Sequence, residues 1–168
     1  NFNDFMYNLS YWSSWSNGFN IWKSEFDKID KNLKLNKLFP HTSLFLTQHQ
    51  AKLFCINDNL LFDVQRIPKR GGHNKFEAFT IEYPSLLDEC CKKGHISTKC
   101  KKHILFGIMV QFLPSLLFNK YIIRIETFDD TGFRDNLKKY YPSYAYWLVL
   151  ISVLGVPFRL FCRKLKNK

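Results

Sequence analysis

The sequence predicts an α+β protein with an N-terminal amphipathic aromatic helix, a small antiparallel β-sheet and a C-terminal transmembrane helix. Three observations predict this fold class. Aromatic residues recur at helical spacing over residues 3–36, and short β-favouring runs fill residues 42–83. Near the C-terminus, Tyr140 to Phe158 forms a stretch of nineteen residues without a charge. We therefore expect helical, sheet and membrane-associated parts in that order.

The length and composition limit the kind of protein this can be. Its 168 residues suit one domain, or a small domain with a membrane-anchoring piece. Hydrophobic residues make up 46% and charged residues 23%, which excludes wholesale disorder. We expect residues 1–40 to form a docking helix, residues 41–103 a β-rich region with a short helix, and residues 104–168 a membrane-associated region.

The residue usage indicates an A/T-rich coding genome. Phe (17 residues) and Tyr (8 residues) are common together with Asn, Lys and Ile, whereas Ala, Gly and Arg are scarce. Lys and Arg exceed Asp and Glu by 25 to 14, a formal net charge of +11. The codon bias and the many bulky apolar residues lead us to expect a mitochondrion-like organelle, and the charge allows RNA as a partner.

The N-terminal stripe has steps of three or four residues. Its members are Phe2, Phe5, Leu9, Trp12, Trp15, Phe19, Trp22, Phe26, Ile29 and Leu33. Such spacing places them on one helix face. A helix lying in a membrane interface is one alternative, but the first 22 residues contain no Lys or Arg to contact headgroups. We therefore predict docking on a partner protein through Phe5, Trp12, Trp15, Phe19, Trp22 and Phe26.

The central region is predicted to form three or four antiparallel strands. Lys75 to Tyr83 alternates polar and apolar residues, and the same pattern predicts a later strand at Lys120 to Phe128. Three earlier runs also favour strands, and they contain Leu44 and Leu46, Leu53 and Cys55, and Leu61 and Phe62. Asn57-Asp58-Asn59 is a turn between two of them. Two short helices are expected as well, one from Ser85 that stops at Gly94 and one over residues 133–141.

The C-terminal stretch has the length and borders of a membrane span. Nineteen residues at about 1.5 Å each cover roughly 28 Å, close to the hydrocarbon thickness of a bilayer. Aromatic residues gather at its start and cations occupy the tail, residues 159–168. We predict a span over residues 142–160. Its anchoring residues would be Tyr144, Trp147, Leu148, Leu150, Ile151, Leu154 and Arg159.

A candidate second membrane segment covers residues 104–119. It is uncharged but only sixteen residues long, and it contains Gln111 and Pro114. A short span, a re-entrant piece and a buried helix are all compatible with it. Basic residues precede it and also follow the C-terminal stretch, as expected for a hairpin whose two ends share one side of a membrane.

One group of residues has a spacing that suits a metal. Cys91, His95, Cys100 and His103 read C-x3-H-x4-C-x2-H, and zinc prefers four such thiolate and imidazole ligands. The cysteines could instead pack on a helix face. In an oxidising compartment, a Cys90–Cys100 or Cys91–Cys100 disulfide is a third reading. Zinc is the one cofactor that the sequence suggests.

The sequence contains no recognised catalytic motif. The sequence contains no G-x-S-x-G, no H-E-x-x-H, no Walker loop and no dinucleotide fingerprint, and it identifies no small-molecule substrate. We expect a non-catalytic, membrane-anchored accessory subunit of an organellar complex, such as a respiratory-chain or ATP-synthase assembly, with other subunits and the bilayer as partners. A basic organellar ribosomal or RNA-binding protein is the alternative, and an enzyme without a recognisable motif is the third reading.

Overall fold

The described part of the protein is mostly helical. The computed structural model describes residues 1–15, 20–56 and 74–166, with side chains up to Cys162. Its α-helices are α1 (Phe2–Leu9), α2 (Lys23–Phe26), α3 (Pro40–Leu46), α4 (Lys75–Glu77), α5 (Tyr83–Lys92), α6 (Thr98–Gly107), α7 (Leu113–Tyr121), α8 (Phe133–Tyr140), α9 (Ala145–Leu154) and α10 (Val156–Lys166). Within these residues there is no β-strand, so the predicted α+β class is wrong.

Among the residues that the structure describes, two π-helical segments and two 3-10 turns accompany these α-helices. The π segments are Ala78–Glu82, between α4 and α5, and Ile108–Phe112, between α6 and α7. The 3-10 turns are Ser10–Ser14 after α1 and Thr47–Gln50 after α3. The chain divides into two compact units, each built from two stretches. Unit 1 comprises Asn1–Gln65 and Glu82–Leu105, and unit 2 comprises Arg66–Ile81 and Phe106–Lys168.

Unit 1 has a core of aromatic and aliphatic side chains with a few buried hydroxyls. Its buried apolar members are Phe2, Met6, Tyr11, Phe39, Phe45, Leu46, Tyr83, Leu87, Cys90, Ile96, Cys100, Ile104 and Leu105. Tyr83 is fully buried, its ring packs on Phe39 at 5.5 Å, and its hydroxyl shares a 2.5 Å hydrogen bond with Ser13 Oγ. Burial raises the pKa of Tyr83 well above its usual range, so the phenol stays neutral.

The long N-terminal helix predicted over residues 3–36 does not form. α1 ends at Leu9, and the chain then makes the tight 3-10 turn Ser10–Ser14. Serine hydroxyls stabilise this turn, because Ser13 Oγ donates to Ser10 O and Ser14 Oγ donates to Tyr11 O, each at 2.7 Å. Serines that bond to nearby carbonyls compete with the helix, which is the physical reason for the early stop.

The predicted strand from Lys75 to Tyr83 is also helical. Asn74 caps it, because its side-chain oxygen accepts hydrogen bonds from the N–H groups of Phe76 and Glu77 at 3.0 and 3.4 Å. Phe76, Thr80 and Tyr83 are all buried at helical spacing. The sequence of this segment therefore fits both a two-residue alternation and a helical period. The segment forms a helix because the residues at helical spacing are the ones that become buried.

The other predicted strands are absent or lie outside the described residues. α3 begins at Pro40, whose missing N–H suits the first helical turn, and buries Phe45 and Leu46. Leu61, Phe62 and the turn at 57–59 fall outside the described residues. At 120–128, α7 continues to Tyr121 and the rest has no partner strand within the described residues, which corrects that prediction.

Two predicted boundaries are confirmed, and both depend on glycine. Gly94 follows α5 with φ 74°, and Gly132 precedes α8 with φ 73°. Few residues other than glycine adopt this left-handed conformation without strain. The helix predicted over residues 133–141 matches α8, while the helix predicted to begin at Ser85 begins before that residue.

In unit 2, side chains from the C-terminal elements donate hydrogen bonds to two backbone carbonyls, each of which lies one turn before a proline. Pro84 and Pro114 lack an N–H, so carbonyls in the preceding turn lose a helical donor. The Tyr141 hydroxyl donates to the Phe79 carbonyl at 2.6 Å. Arg159 Nη1 donates to the Val110 carbonyl at 2.7 Å. These two hydrogen bonds attach Tyr141 and Arg159 to the π segments Ala78–Glu82 and Ile108–Phe112.

We expect Tyr141→Phe to lower the free energy of unfolding by about 1–3 kcal/mol, because the Phe79 carbonyl would lose the phenol donor in a buried position. Urea denaturation followed by circular dichroism measures the change. Tyr144→Phe is the matched control, since Tyr144 is exposed. Equal stabilities of the two variants would contradict the role given to the Tyr141 hydroxyl.

The structure modifies the predictions for both membrane segments, 104–119 and 142–160. The helical stretch Thr98–Tyr121, which contains the predicted segment 104–119, is by length and composition long and apolar enough to cross a membrane. However, 56% of its most apolar window is buried within the protein, as in a core helix. The predicted span 142–160 is not one straight helix, because α9 and α10 are bent by 49° at the break between them.

Candidate membrane-binding surface

The most distinctive surface of unit 2 is a row of exposed apolar side chains on α9 and α10. It consists of Tyr144, Trp147, Ile151, Leu154, Phe158 and Phe161, with exposed fractions between 58% and 80%. Steps of three and four residues put these side chains on one side of a helix. We call this set the C-terminal stripe. It contains no polar side chain other than the hydroxyl of Tyr144 and the indole N–H of Trp147.

The opposite side of α9 is buried, and so is the first residue of α10. Ala145, Val149 and Val156 are between 0% and 3% exposed, and α9 packs on α7, on α8 and on the π segment Ile108–Phe112. The protein therefore covers one side of α9 and leaves the C-terminal stripe uncovered. Contiguous apolar surface of this kind marks a binding site for protein or lipid.

After Asp135, every charged residue of the sequence is basic. Asp135 is the last acidic residue of the sequence, and the chain then carries Lys138 and Lys139 before the uncharged stretch. Arg159, Arg163, Lys164, Lys166 and Lys168 follow within or after α10. Aromatic residues at the start of the stripe and cations at its end are the arrangement found at membrane–water boundaries.

The structure assigns the predicted anchor residues to three environments. Tyr144, Trp147, Ile151 and Leu154 belong to the C-terminal stripe, while Leu148 and Leu150 are half-buried beside it. Arg159 points inward to the Val110 carbonyl, and its Nη2 is buried with no hydrogen-bond partner within the described residues. Arg159 therefore supports the helix pair instead of facing outward.

Sequence reasoning missed the end of the stripe. Phe158 and Phe161 are 70% and 59% exposed and continue its spacing past Pro157. The signal was present, since the steps of three and four residues run unbroken from Tyr144. Further exposed apolar residues of unit 2, also missed, are Phe106, Tyr121, Ile122, Ile123 and Ile125.

The predicted docking residues do not share one helix face. Phe5 is half-buried in unit 1, where its ring stacks on Phe54 at 4.9 Å. Trp12 and Trp15 are each 44% exposed and meet edge to face at 5.0 Å. The remaining predicted members have other positions: Trp22 and Phe26 are exposed on and beside the separate helix α2, and Phe19 lies outside the described residues.

The predicted zinc ligands have other neighbours. The Cys100 thiol donates to the Asn3 carbonyl at 3.6 Å, and Cys91 Sγ lies 3.7 Å from Thr98 Oγ1. The ring of His95 stacks on His49, and the ring of His103 stacks on Tyr7. In the described parts of the chain, no three His, Cys, Asp or Glu side chains are grouped so that they could hold a metal ion. Zinc stays a prediction from spacing alone.

The disulfide alternative is not what the structure contains. All five cysteines are free thiols, and Cys90 is buried. Burial raises the pKa of the Cys90 thiol to about 12, which keeps it protonated at neutral pH. A protonated, buried thiol packs as a small apolar side chain, the role that the sequence also allowed.

Comparison with known proteins gives no relative: no protein-family model, no curated protein and no solved structure matches this chain. Any functional conclusion therefore depends on the surfaces described above.

Proposed function

We propose that this chain is a non-catalytic accessory protein that attaches to a membrane through the C-terminal stripe and serves as a subunit of a larger assembly. The observation that carries the proposal is the exposed apolar side of α9 and α10, which in α9 lies opposite a side packed on the protein. Water contact with such a surface is unfavourable, and a bilayer removes it without requiring a shape-matched partner.

The energetics favour stable attachment. Complete burial of one large apolar side chain contributes about 1.5–3 kcal/mol, and the stripe has six of them, each at least 58% exposed. Even partial burial of all six contributes roughly 5 kcal/mol or more. A single acyl chain contributes about the same and by itself binds only reversibly, but one apolar anchor together with a cluster of cations, such as those that follow the stripe, attaches stably.

The geometry favours partial insertion over a straight crossing. α9 has ten residues, about 15 Å of helix, which is half of the roughly 30 Å hydrocarbon layer. The bend of 49° before α10 directs the chain away from the axis of α9. We propose that the helix pair enters one leaflet, with the cations of α10 near the headgroups.

The assembly part of the proposal is supported by unit 1. Trp12 and Trp15 form an exposed aromatic pair, and Trp22 is 82% exposed. Tryptophan is enriched among the residues that contribute most to protein interfaces. The organellar compartment stays a prediction from composition, and so does the identity of the complex.

Membrane fractionation of the full chain tests the attachment. We expect the protein to remain in the membrane pellet after washes with about 1 M salt and with alkaline carbonate. These washes release proteins that are bound to a membrane by electrostatic attraction alone. Mild detergent should release it, and size analysis that subtracts the bound detergent should show a protein mass larger than the 20.1 kDa of one chain.

Each outcome separates the alternatives. Release by salt or carbonate overturns membrane attachment. A monomer in detergent leaves attachment standing but overturns the assembly. Salt-sensitive sedimentation with RNA, without flotation on vesicles, would instead favour the basic RNA-binding alternative, because phosphate contacts weaken steeply with ionic strength.

A further inference from the structure

Unit 2 has a small basic cleft beside the start of the C-terminal stripe. Its volume is about 50 Å³, and its walls include Arg134 and Lys138 from α8, Ser143 from the connection, and Tyr146 and Trp147 from α9. At roughly 10–15 Å³ per water-sized atom, it has room for about four non-hydrogen atoms, which is a phosphorus with its three terminal oxygens while the ester oxygen stays outside. The cleft is open to solvent, so a ligand can enter without a change in the fold.

The side chains of this cleft suit a phosphate group. Arg134 lies over the ring of Tyr146, with 5.4 Å between its Cζ and the ring centroid, which orients the guanidinium. Within the described residues Arg134 makes no ion pair, whereas Lys138 pairs with the exposed Asp135 at 2.7 Å. Arginine and lysine donate several hydrogen bonds to one phosphate, and the hydroxyl of Ser143 adds another donor.

The position of the cleft identifies the source of that phosphate. Trp147 belongs both to the cleft and to the C-terminal stripe, so a basic pocket and an apolar row meet at one side chain. A phospholipid has the same succession of parts, a charged headgroup next to apolar chains. A free phosphate ion would gain nothing from the adjoining stripe.

We infer that this cleft binds the phosphate of an anionic phospholipid while the C-terminal stripe enters the acyl region. The inference rests on the proposed membrane attachment and adds a headgroup preference to it. Arg134 and Lys138 contact the phosphate, and Tyr146 and Trp147 lie at headgroup depth, where aromatic rings are favoured.

Vesicle flotation with a charge-matched pair of variants tests the inference. Vesicles of pure phosphatidylcholine are compared with vesicles containing about one fifth phosphatidic acid, at one ionic strength. The test variant is Arg134→Gln with Lys138→Gln. The control is Lys23→Gln with Lys28→Gln, which removes two exposed cations that also have acidic neighbours, Asp27 and Glu25.

Wild type and control should prefer the anionic vesicles, and the test variant should lose roughly 25-fold of that preference, as expected for two surface cations. Its binding to pure phosphatidylcholine should change much less, because the choline ammonium already balances the charge of that phosphate. Adding about 5 mM inorganic phosphate at constant ionic strength should displace little protein, because one headgroup contact is weak without the stripe.

Several results would overturn the inference that the cleft binds a phospholipid headgroup. Equal losses in the test and control variants would show that only total charge matters. Displacement by inorganic phosphate would make a free anion the ligand of the cleft. Equal binding of wild type to both vesicle types would remove the headgroup preference and leave attachment intact, whereas binding to neither would contradict the proposed function itself.

Discussion

Replacing Ile151 and Leu154 by aspartate is expected to lower binding of the protein to phosphatidylcholine vesicles at least about a hundredfold. Each side chain contributes about 1.5–3 kcal/mol when it leaves water, and two lost contributions exceed the 2.7 kcal/mol of a hundredfold change. Because both residues are exposed, at 65% and 80%, the folded protein should keep its stability within about 1 kcal/mol.

The matched control places the same substitutions on unit 1. Ile56→Asp with Leu53→Asp changes the same two residue types by the same charge, and these residues are 49% and 82% exposed. Vesicle flotation measures binding, and urea denaturation measures stability. If both double variants bind vesicles as well as wild type, the C-terminal stripe is not the attachment surface.

Tyr83→Ala is expected to destabilise the protein by about 3–5 kcal/mol, which is a large part of the total for a chain of this size. Tyr83 is fully buried, packs on Phe39 and shares a hydrogen bond with Ser13. The substitution leaves a ring-sized cavity that the neighbouring helices can close only in part. Urea denaturation followed by circular dichroism measures the loss.

Two further variants separate the contributions of the ring and the hydroxyl. Tyr83→Phe keeps the ring and removes one hydrogen bond, so we expect a cost of about 1 kcal/mol. Trp22→Ala removes a larger ring that is 82% exposed and should change stability by less than about 0.5 kcal/mol. A Trp22→Ala variant as unstable as Tyr83→Ala would contradict the described core.

The failed strand predictions show where local patterns are ambiguous. Between Lys75 and Tyr83 the sequence satisfies a two-residue alternation, but Asn74 provides a helix cap and Phe76, Thr80 and Tyr83 provide a helical face. The choice between the two is made by what the segment packs against, since both patterns place apolar residues on a common side. The cap at Asn74 was the signal available in the sequence.

The failed helix prediction has a related cause. The aromatic spacing from Phe2 to Leu33 is regular enough for one helix, yet the chain turns after Leu9, where serines can bond to carbonyls. Regular spacing of apolar residues indicates that a helix over this segment would be amphipathic. It does not indicate how far the helix extends. As a result, Met6 lies in the core of unit 1 while Trp12 faces out.

The candidate surface was predicted in part. Four of its six members, Tyr144, Trp147, Ile151 and Leu154, follow from the uncharged C-terminal stretch alone. The inward position of Arg159 does not, because it depends on a hydrogen bond to the Val110 carbonyl, 49 residues earlier in the chain. The phosphate cleft was not predicted either, since residues of α8 and α9 form it only when these helices pack.

The sequence by itself determined that residues near the C-terminus are apolar, that cations follow them, and that Gly94 and Gly132 border helices. These are local properties of composition and backbone conformation. Only the tertiary structure decided which side of α9 is covered, where the C-terminal helices bend, and that no strand forms in the described residues. Burial depends on contacts between residues far apart in the chain, and no local window of sequence contains that information.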